Sequence, residues 1–154
     1  MQFLKSNIEE EWMDLVNEFP EFILELSPMV LEWCEKHENP EELCNLRYSF
    51  ECGIGWKDII REYFKQLQTL VERAKSNGDE IYYKTCIFKE KFGELRDQGD
   101  FYGPDYKKYY NTYSILSSEL TEQSGYICEK CGAPGSKRGG GWVRTLCDEH
   151  HNER

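Results

Sequence analysis

The tightest restriction on how this chain can fold lies near its end. Residues 126–154 read YICEKCGAPGSKRGGGWVRTLCDEHHNER and hold three of the seven cysteines and two of the three histidines. Cys128 and Cys131 form a C-x2-C pair, and fifteen residues later Cys147 and His150 form a C-x2-H pair. A two-residue spacer lets one turn aim two ligands at one ion. Two such turns complete a tetrahedron of thiolate and imidazole donors, which suits Zn2+. Four protein ligands leave no open coordination position, so the ion expected here is structural, as in a zinc ribbon. His151 is an alternative fourth ligand, but His150 keeps the paired spacing.

What precedes this knot reads as a mostly helical body. The chain of 154 residues suits one compact domain with a small appended module. Apolar residues make up 39%, and aromatics at 14% supply a large buried area per side chain, enough for a core. Ser6–Glu9 has the form of a capping box, and Ile8, Trp12, Leu15, Val16 and Phe19 follow at helical spacing until Pro20 interrupts. Ser27-Pro28 restarts a helix carrying Met29, Val30, Trp33 and Cys34, and Asn39-Pro40 caps another. The strongest helix runs from Trp56 to Ala74 and stops at Asn77-Gly78. EIYYKTCIF reads as a strand, with Cys86 in the core, and KEKFGELRDQGDFY as a turn and a returning strand. Gly103-Pro104 opens a last helix whose buried face carries Tyr106, Tyr109, Tyr110, Tyr113, Leu116 and Leu120. The fold class expected is α+β: a mainly helical body, a small β-hairpin and a C-terminal zinc ribbon. It divides into an acidic helical segment (1–48), an α+β core (49–124) and a zinc-ribbon module packed on the core (125–154).

Charge narrows the partners. The net charge is -10, and residues 1–60 carry all of it, with 14 carboxylates against 4 cations. Such a surface repels phosphate backbones and attracts basic protein surfaces. Glu9, Glu10 and Glu11, with Trp12 and Trp33 as exposed aromatics, are the candidate contacts for a partner with a basic surface. No apolar run is long enough to cross a bilayer, and MQFLKSNIEEEWMDL lacks a signal-type apolar stretch, so a cytoplasmic location and no membrane partner are expected. Cysteines at metal spacing agree with a reducing compartment.

Between the metal pairs, Lys137, Arg138 and Arg144, with nearby Lys130, make a basic tip that could meet nucleic acid or phosphate. Trp142 and Val143 are expected to pack the knot onto the body. The segment LCDEHHNER resembles the close of HNH-type nucleases. Those enzymes need a further histidine between the half-sites, however, and residues 132–146 contain no His, Asp or Glu. Cys34, His37, Cys44 and Cys52 offer a second metal site at irregular spacing, although buried free thiols are the commoner outcome. No other nucleophile–base pair or phosphate-cradling loop stands out.

Three pieces, FECGIGWKDII, FKEKFGELR and CEKCGAPGSKRGGGWVRTLCDEH, together resemble a family of small, largely uncharacterised bacterial and phage or prophage proteins. In that family a C-G-x-G-W helix start and a K-E-K-F-G-x-L-R strand precede a C-terminal zinc ribbon. The resemblance covers residues 49–150 and leaves the acidic helices outside. The family's fourth ligand is usually cysteine, where this chain has His150. The resemblance implies a zinc-ribbon fold and a mobile-element context, and brings no catalytic residues. Gly53 and Gly55 would allow a tight entry so that Trp56 plugs the core, and Phe92-Gly93 would bend the strand pair. The expected function is therefore non-enzymatic: a zinc-binding protein that acts by protein–protein binding, for example as a phage-derived inhibitor of a host defence protein. A nucleic-acid-binding accessory protein is the alternative, and a metal-dependent hydrolase the third reading.

Overall fold

The computed structural model describes residues 8–23, 32, 35–36 and 50–153. The Ser6 cap, Ser27-Pro28 with Met29, Val30 and Trp33 after it, the Asn39-Pro40 cap and the proposed ligands Cys34, His37 and Cys44 lie outside those residues, while Glu32, Glu35 and Lys36 are helical.

A 3-10 turn over Glu10–Trp12 leads into α1, Met13–Glu18. It stops where Pro20, which has no N–H to donate, begins α2, Pro20–Ile23. Ile8, Trp12, Leu15, Val16, Phe19, Phe22 and Ile23 are all buried, as the helical spacing requires. Trp12 is therefore not a partner contact. It is 1% exposed and stacks on Phe50 at 4.2 Å, so its apolar area goes into the fold's own core. Phe50 belongs to β1, Phe50–Glu51.

The long helix α3, Lys57–Ser76, buries Ile60, Tyr63, Phe64, Leu67, Leu70 and Ala74 along one stripe. Gly78 closes it with φ 78°, and Gly78 and Asp79 donate to the carbonyls of Lys75 and Ala74, the double closure that a left-handed glycine permits. Arg61 on the outer face holds Asp14, Glu18 and Asp58, which ties α3 to α1.

The β structure is richer than one hairpin. EIYYKTCIF divides into β2, Tyr82–Lys84, and β3, Phe88–Lys91. The Thr85 N–H donates to the Phe22 carbonyl at 2.7 Å instead of to a strand, and the chain changes sheets there. β3 pairs in parallel with β1 and antiparallel with β4, Glu94–Asp97, through the two-residue turn Phe92-Gly93. β2 pairs with β5, Asp100–Tyr102.

The helix α4, Tyr106–Ser124, buries Tyr109, Tyr113, Leu120 and Ser124. Tyr110 is half exposed and Tyr106 and Leu116 are only partly covered, so the buried stripe is narrower than the tyrosine spacing suggests. Polar groups of α4 finish the outer edge of β4. Ser124 Oγ accepts from the Leu95 N–H at 2.8 Å, and Thr121 donates to the Leu95 carbonyl at 2.8 Å. An open strand edge is thereby covered. After α4 come β6, Ser136–Arg138, paired antiparallel with β7, Arg144–Leu146, and the short helix α5, Asp148–Asn152. The architecture is α+β. Among the described residues, no helix is long and apolar enough to cross a membrane.

Candidate metal centre

The first ligand turn starts where Ile127 bridges Pro134 and the Cys128 N–H donates to the Ala133 carbonyl at 2.7 Å. Gly132 takes φ 79°, which lets its N–H reach back to the Cys128 carbonyl at 2.8 Å and close the turn with Cys131 facing Cys128. The second half-site is the start of α5. Cys147 is its N-cap in extended conformation, and His150 stands three residues on, above it on the same face. His151, one position further, is turned about 100° away. Its N–H donates to the Cys147 carbonyl at 2.9 Å, and its ring Nδ1 is buried without a protein partner.

One ligand atom each from Cys128, Cys131, Cys147 and His150 lies within 4.8 Å of the others, so these four residues could hold a metal ion. The Cys131 and Cys147 sulfurs are 3.8 Å apart, and His150 Nδ1 is 3.4 Å from the Cys128 sulfur and 3.3 Å from that of Cys147. A tetrahedral ion about 2.3 Å from each sulfur and about 2.0 Å from nitrogen asks for edges of roughly 3.8 Å and 3.5 Å. The spacing is far too wide for a disulfide. Burial pushes the Cys128 thiol up, but the N–H groups of Cys147, Cys131 and Lys130 and the His150 ring outweigh it and bring the thiol down to about 6. For Cys131 the Ala133 N–H pulls down, while desolvation and the neighbouring sulfurs carry it upward overall. Thiolate is the metal-binding form, so binding an ion would release the thiol protons still held by the ligands.

The ligand turn is fastened into the body. Gly55 N–H donates to the Glu129 carbonyl at 2.8 Å, and the buried Trp56 indole donates to the Ile127 carbonyl at 2.8 Å. A Cβ at Gly53 would sit 2.1 Å from the Glu129 oxygen, and one at Gly55 would sit 2.2 Å from the Cys128 oxygen. These two glycines therefore do more than admit Trp56: their missing side chains are the space the ligand turn occupies. On the other side Thr145 Oγ1 donates to the Gly93 carbonyl at 2.5 Å, and the Glu129 N–H donates to the Thr145 carbonyl at 3.0 Å. The C-G-x-G-W segment, the K-F-G-x-L turn and the cysteine knot form one contact surface.

The basic tip is largely neutralised. Arg138 pairs with Asp148 at 2.6 Å, Lys137 with Glu94, Arg144 with the buried Glu129, and Lys130 approaches Glu153 at 3.9 Å. Trp142, expected to pack the knot onto the body, is instead 70% exposed beside Gly139–Gly141, while Val143 is half-buried next to Gly93. Glu9, Glu10 and Glu11 are exposed on their turn, with Lys57 binding the Glu11 carbonyl and not its carboxylate. Cys52 is half-buried, and burial followed by the charge of Glu129 pushes its thiol well up, as in a buried free cysteine. Cys86 is half-buried as well.

A second cluster was invisible in sequence. The Asp97 carboxylate accepts from the hydroxyls of Tyr63 at 2.5 Å, Tyr83 at 2.9 Å and Tyr113 at 3.3 Å, and from the Gly99 N–H at 2.8 Å. Burial carries its pKa above the ordinary carboxylate range, against those four donors. All four partners donate, so the carboxylate is fully used in joining α3, β2, α4 and the β4–β5 turn. No family model, curated protein or solved structure matches this chain.

Proposed function

We propose that the four ligands hold a structural Zn2+ in a zinc ribbon, and that the protein acts without catalysis by binding a partner protein that presents a basic surface. The observation that carries the reading is the way the centre is used: all four protein donors converge on one point, and their turn is a packing surface for Gly53, Gly55 and Trp56. Such a centre has no open position for substrate water, and its work is to hold the ribbon on the body. The rest of the reading follows from charge. The net charge of -10 and the exposed Glu9–Glu11 tract favour association with a basic protein. The resemblance to phage and prophage zinc-ribbon proteins adds the setting, a cytoplasmic modulator or inhibitor of a host defence protein.

Nucleic-acid binding is the second reading. It would use Lys130, Lys137, Arg138 and Arg144, whose charges are engaged with carboxylates in this fold, so phosphate would have to displace those pairs. The test is affinity purification of tagged protein from bacterial lysate with and without nuclease, alongside metal analysis of the purified protein. One stoichiometric protein that survives nuclease and dissociates in high salt, with one zinc per chain, is the expected result. Co-purification only of nucleic-acid proteins that nuclease removes would replace it with the second reading.

A further inference from the structure

Two large aromatic side chains stand out of the fold together. Phe92 and Trp142 are each 70% exposed, and both line a cleft of about 430 Å³ with Glu90, Lys91, Gly141 and Val143. A second cleft of about 370 Å³ adjoins it, lined by Trp142, Glu90, Glu129 and Arg144. Phe92 occupies its turn at φ 55°, a left-handed conformation that glycine or asparagine takes more easily. That conformation is strained for an L side chain, and the exposed ring recovers little by packing inside the chain. A Cβ added at Gly139, Gly140 or Gly141, just before Trp142, would meet nothing within 4 Å, so the indole is carried on an uncrowded loop.

In the first cleft Lys91 balances Glu90, but in the second the charges do not cancel. Arg144 uses its Nε on Glu129, which is 3% exposed and so neutralised in place. Glu90 spends one carboxylate oxygen on the Gly93 N–H at 2.7 Å and remains the surplus negative charge of the second cleft. Lys91 reaches over the Phe92 ring at 6.0 Å from its centroid, so a cation already rests on an aromatic face here. An indole face beside a surplus carboxylate suits a planar guanidinium, which stacks on the ring and donates to the carboxylate together.

We propose that the second cleft, between Trp142 and Glu90, with Phe92 in the adjoining cleft, is the docking slot for an arginine side chain of a basic partner protein. The slot rests on the protein-binding reading above and adds to it the place and chemistry of the contact. A phosphate chain is a poorer occupant of this second cleft, because its one cation, Arg144, is engaged with Glu129 and its lining holds one carboxylate more than its cations.

The test uses the full zinc-loaded chain and a nona-arginine peptide as probe, followed by NMR of the tryptophan indole N–H signals. The expected result is a shift confined to Trp142. Affinity should fall at least tenfold in Trp142→Ala combined with Glu90→Gln, with melting temperature and zinc content unchanged. Binding that ignores this variant but disappears in Glu9→Gln/Glu10→Gln/Glu11→Gln would overturn the slot and leave the basic-partner reading standing. A Trp142 shift with oligo-dT that exceeds the peptide's would overturn the slot in favour of single-stranded nucleic acid. Absence of any peptide binding by the wild-type chain would also overturn it, while the purification experiment judges the broader reading separately.

Discussion

Replacing Gly55 by alanine tests whether the ligand turn is a load-sharing part of the fold. The new Cβ would lie 2.2 Å from the Cys128 oxygen, 2.6 Å from the Gly132 nitrogen and 2.7 Å from the Glu129 carbonyl carbon. All three are backbone atoms, so no side chain can swing aside. The turn must move, and the bonds from Gly55 to Glu129 and from Trp56 to Ile127 stretch or break. Two such bonds are worth about 1 kcal/mol each, and forcing a methyl into a packed contact adds about 1–3 kcal/mol. A total of about 4 kcal/mol corresponds to a fall of about 10 °C in Tm for a domain of this size. Because the displaced atoms belong to the metal turn, part of the penalty should appear as weaker metal binding, tenfold for each 1.4 kcal/mol transmitted. Thermal melts with and without chelator, and competition against a chromogenic chelator, measure both. Gly139→Ala is the control, since a Cβ there meets nothing within 4 Å and its backbone is not left-handed. If Gly55→Ala melts with the wild type and holds metal equally well, the docking argument is wrong. The penalty should also shrink in the chelated protein, where the turn is free to yield.

Three further outcomes are expected. His150→Ala should abolish stoichiometric metal binding while His151→Ala retains it, as read by metal analysis; the reverse would move the fourth ligand. Arg144→Ala strands the Glu129 carboxylate at 3% exposure and should cost about 3 kcal/mol in urea unfolding, with Glu129→Gln in the same background recovering part of the loss. Asp97→Ala leaves the hydroxyls of Tyr63, Tyr83 and Tyr113 without their acceptor and should cost about 3 kcal/mol, whereas Asp97→Asn should cost less. The raised pKa of Asp97 gives the pH dependence its sign: the folded state holds this proton more tightly, so its contribution is full below pH 3.8 and is lost as pH rises through the folded value. Asp97→Asn should therefore gain stability relative to the wild type across that rise, and a flat difference would contradict the burial argument.

How legible the fold was depended on the range of the interactions. The ligand set could be read because each half-site is a two-residue spacing, and the helix from Lys57 to Ser76 because its apolar stripe repeats locally. The division of EIYYKTCIF between two sheets could not, since it turns on one N–H, that of Thr85, finding the Phe22 carbonyl more than sixty residues away. Trp12 and Trp142 exchanged their expected places for a related reason. An aromatic residue declares large apolar area, but whether that area meets Phe50 or solvent is settled by distant chain. Asp97 was one carboxylate among 29 acidic residues until three separate elements brought tyrosines to it.

The bond from Trp56 to Ile127 has a consequence in time as well as in space. It spans 71 residues, and the candidate metal centre on that turn takes its other two donors from positions 147 and 150. On the ribosome, α3 and its stripe of core residues would emerge well before the segment that covers Trp56 exists. A nascent chain stalled before Ile127 would expose an indole and two bare glycines at the seam, and one stalled before Cys147 would hold the turn without half of its candidate ligands. Full-length synthesis and metal capture would then act as a single checkpoint, with chaperones and proteases sampling every chain that has not passed it.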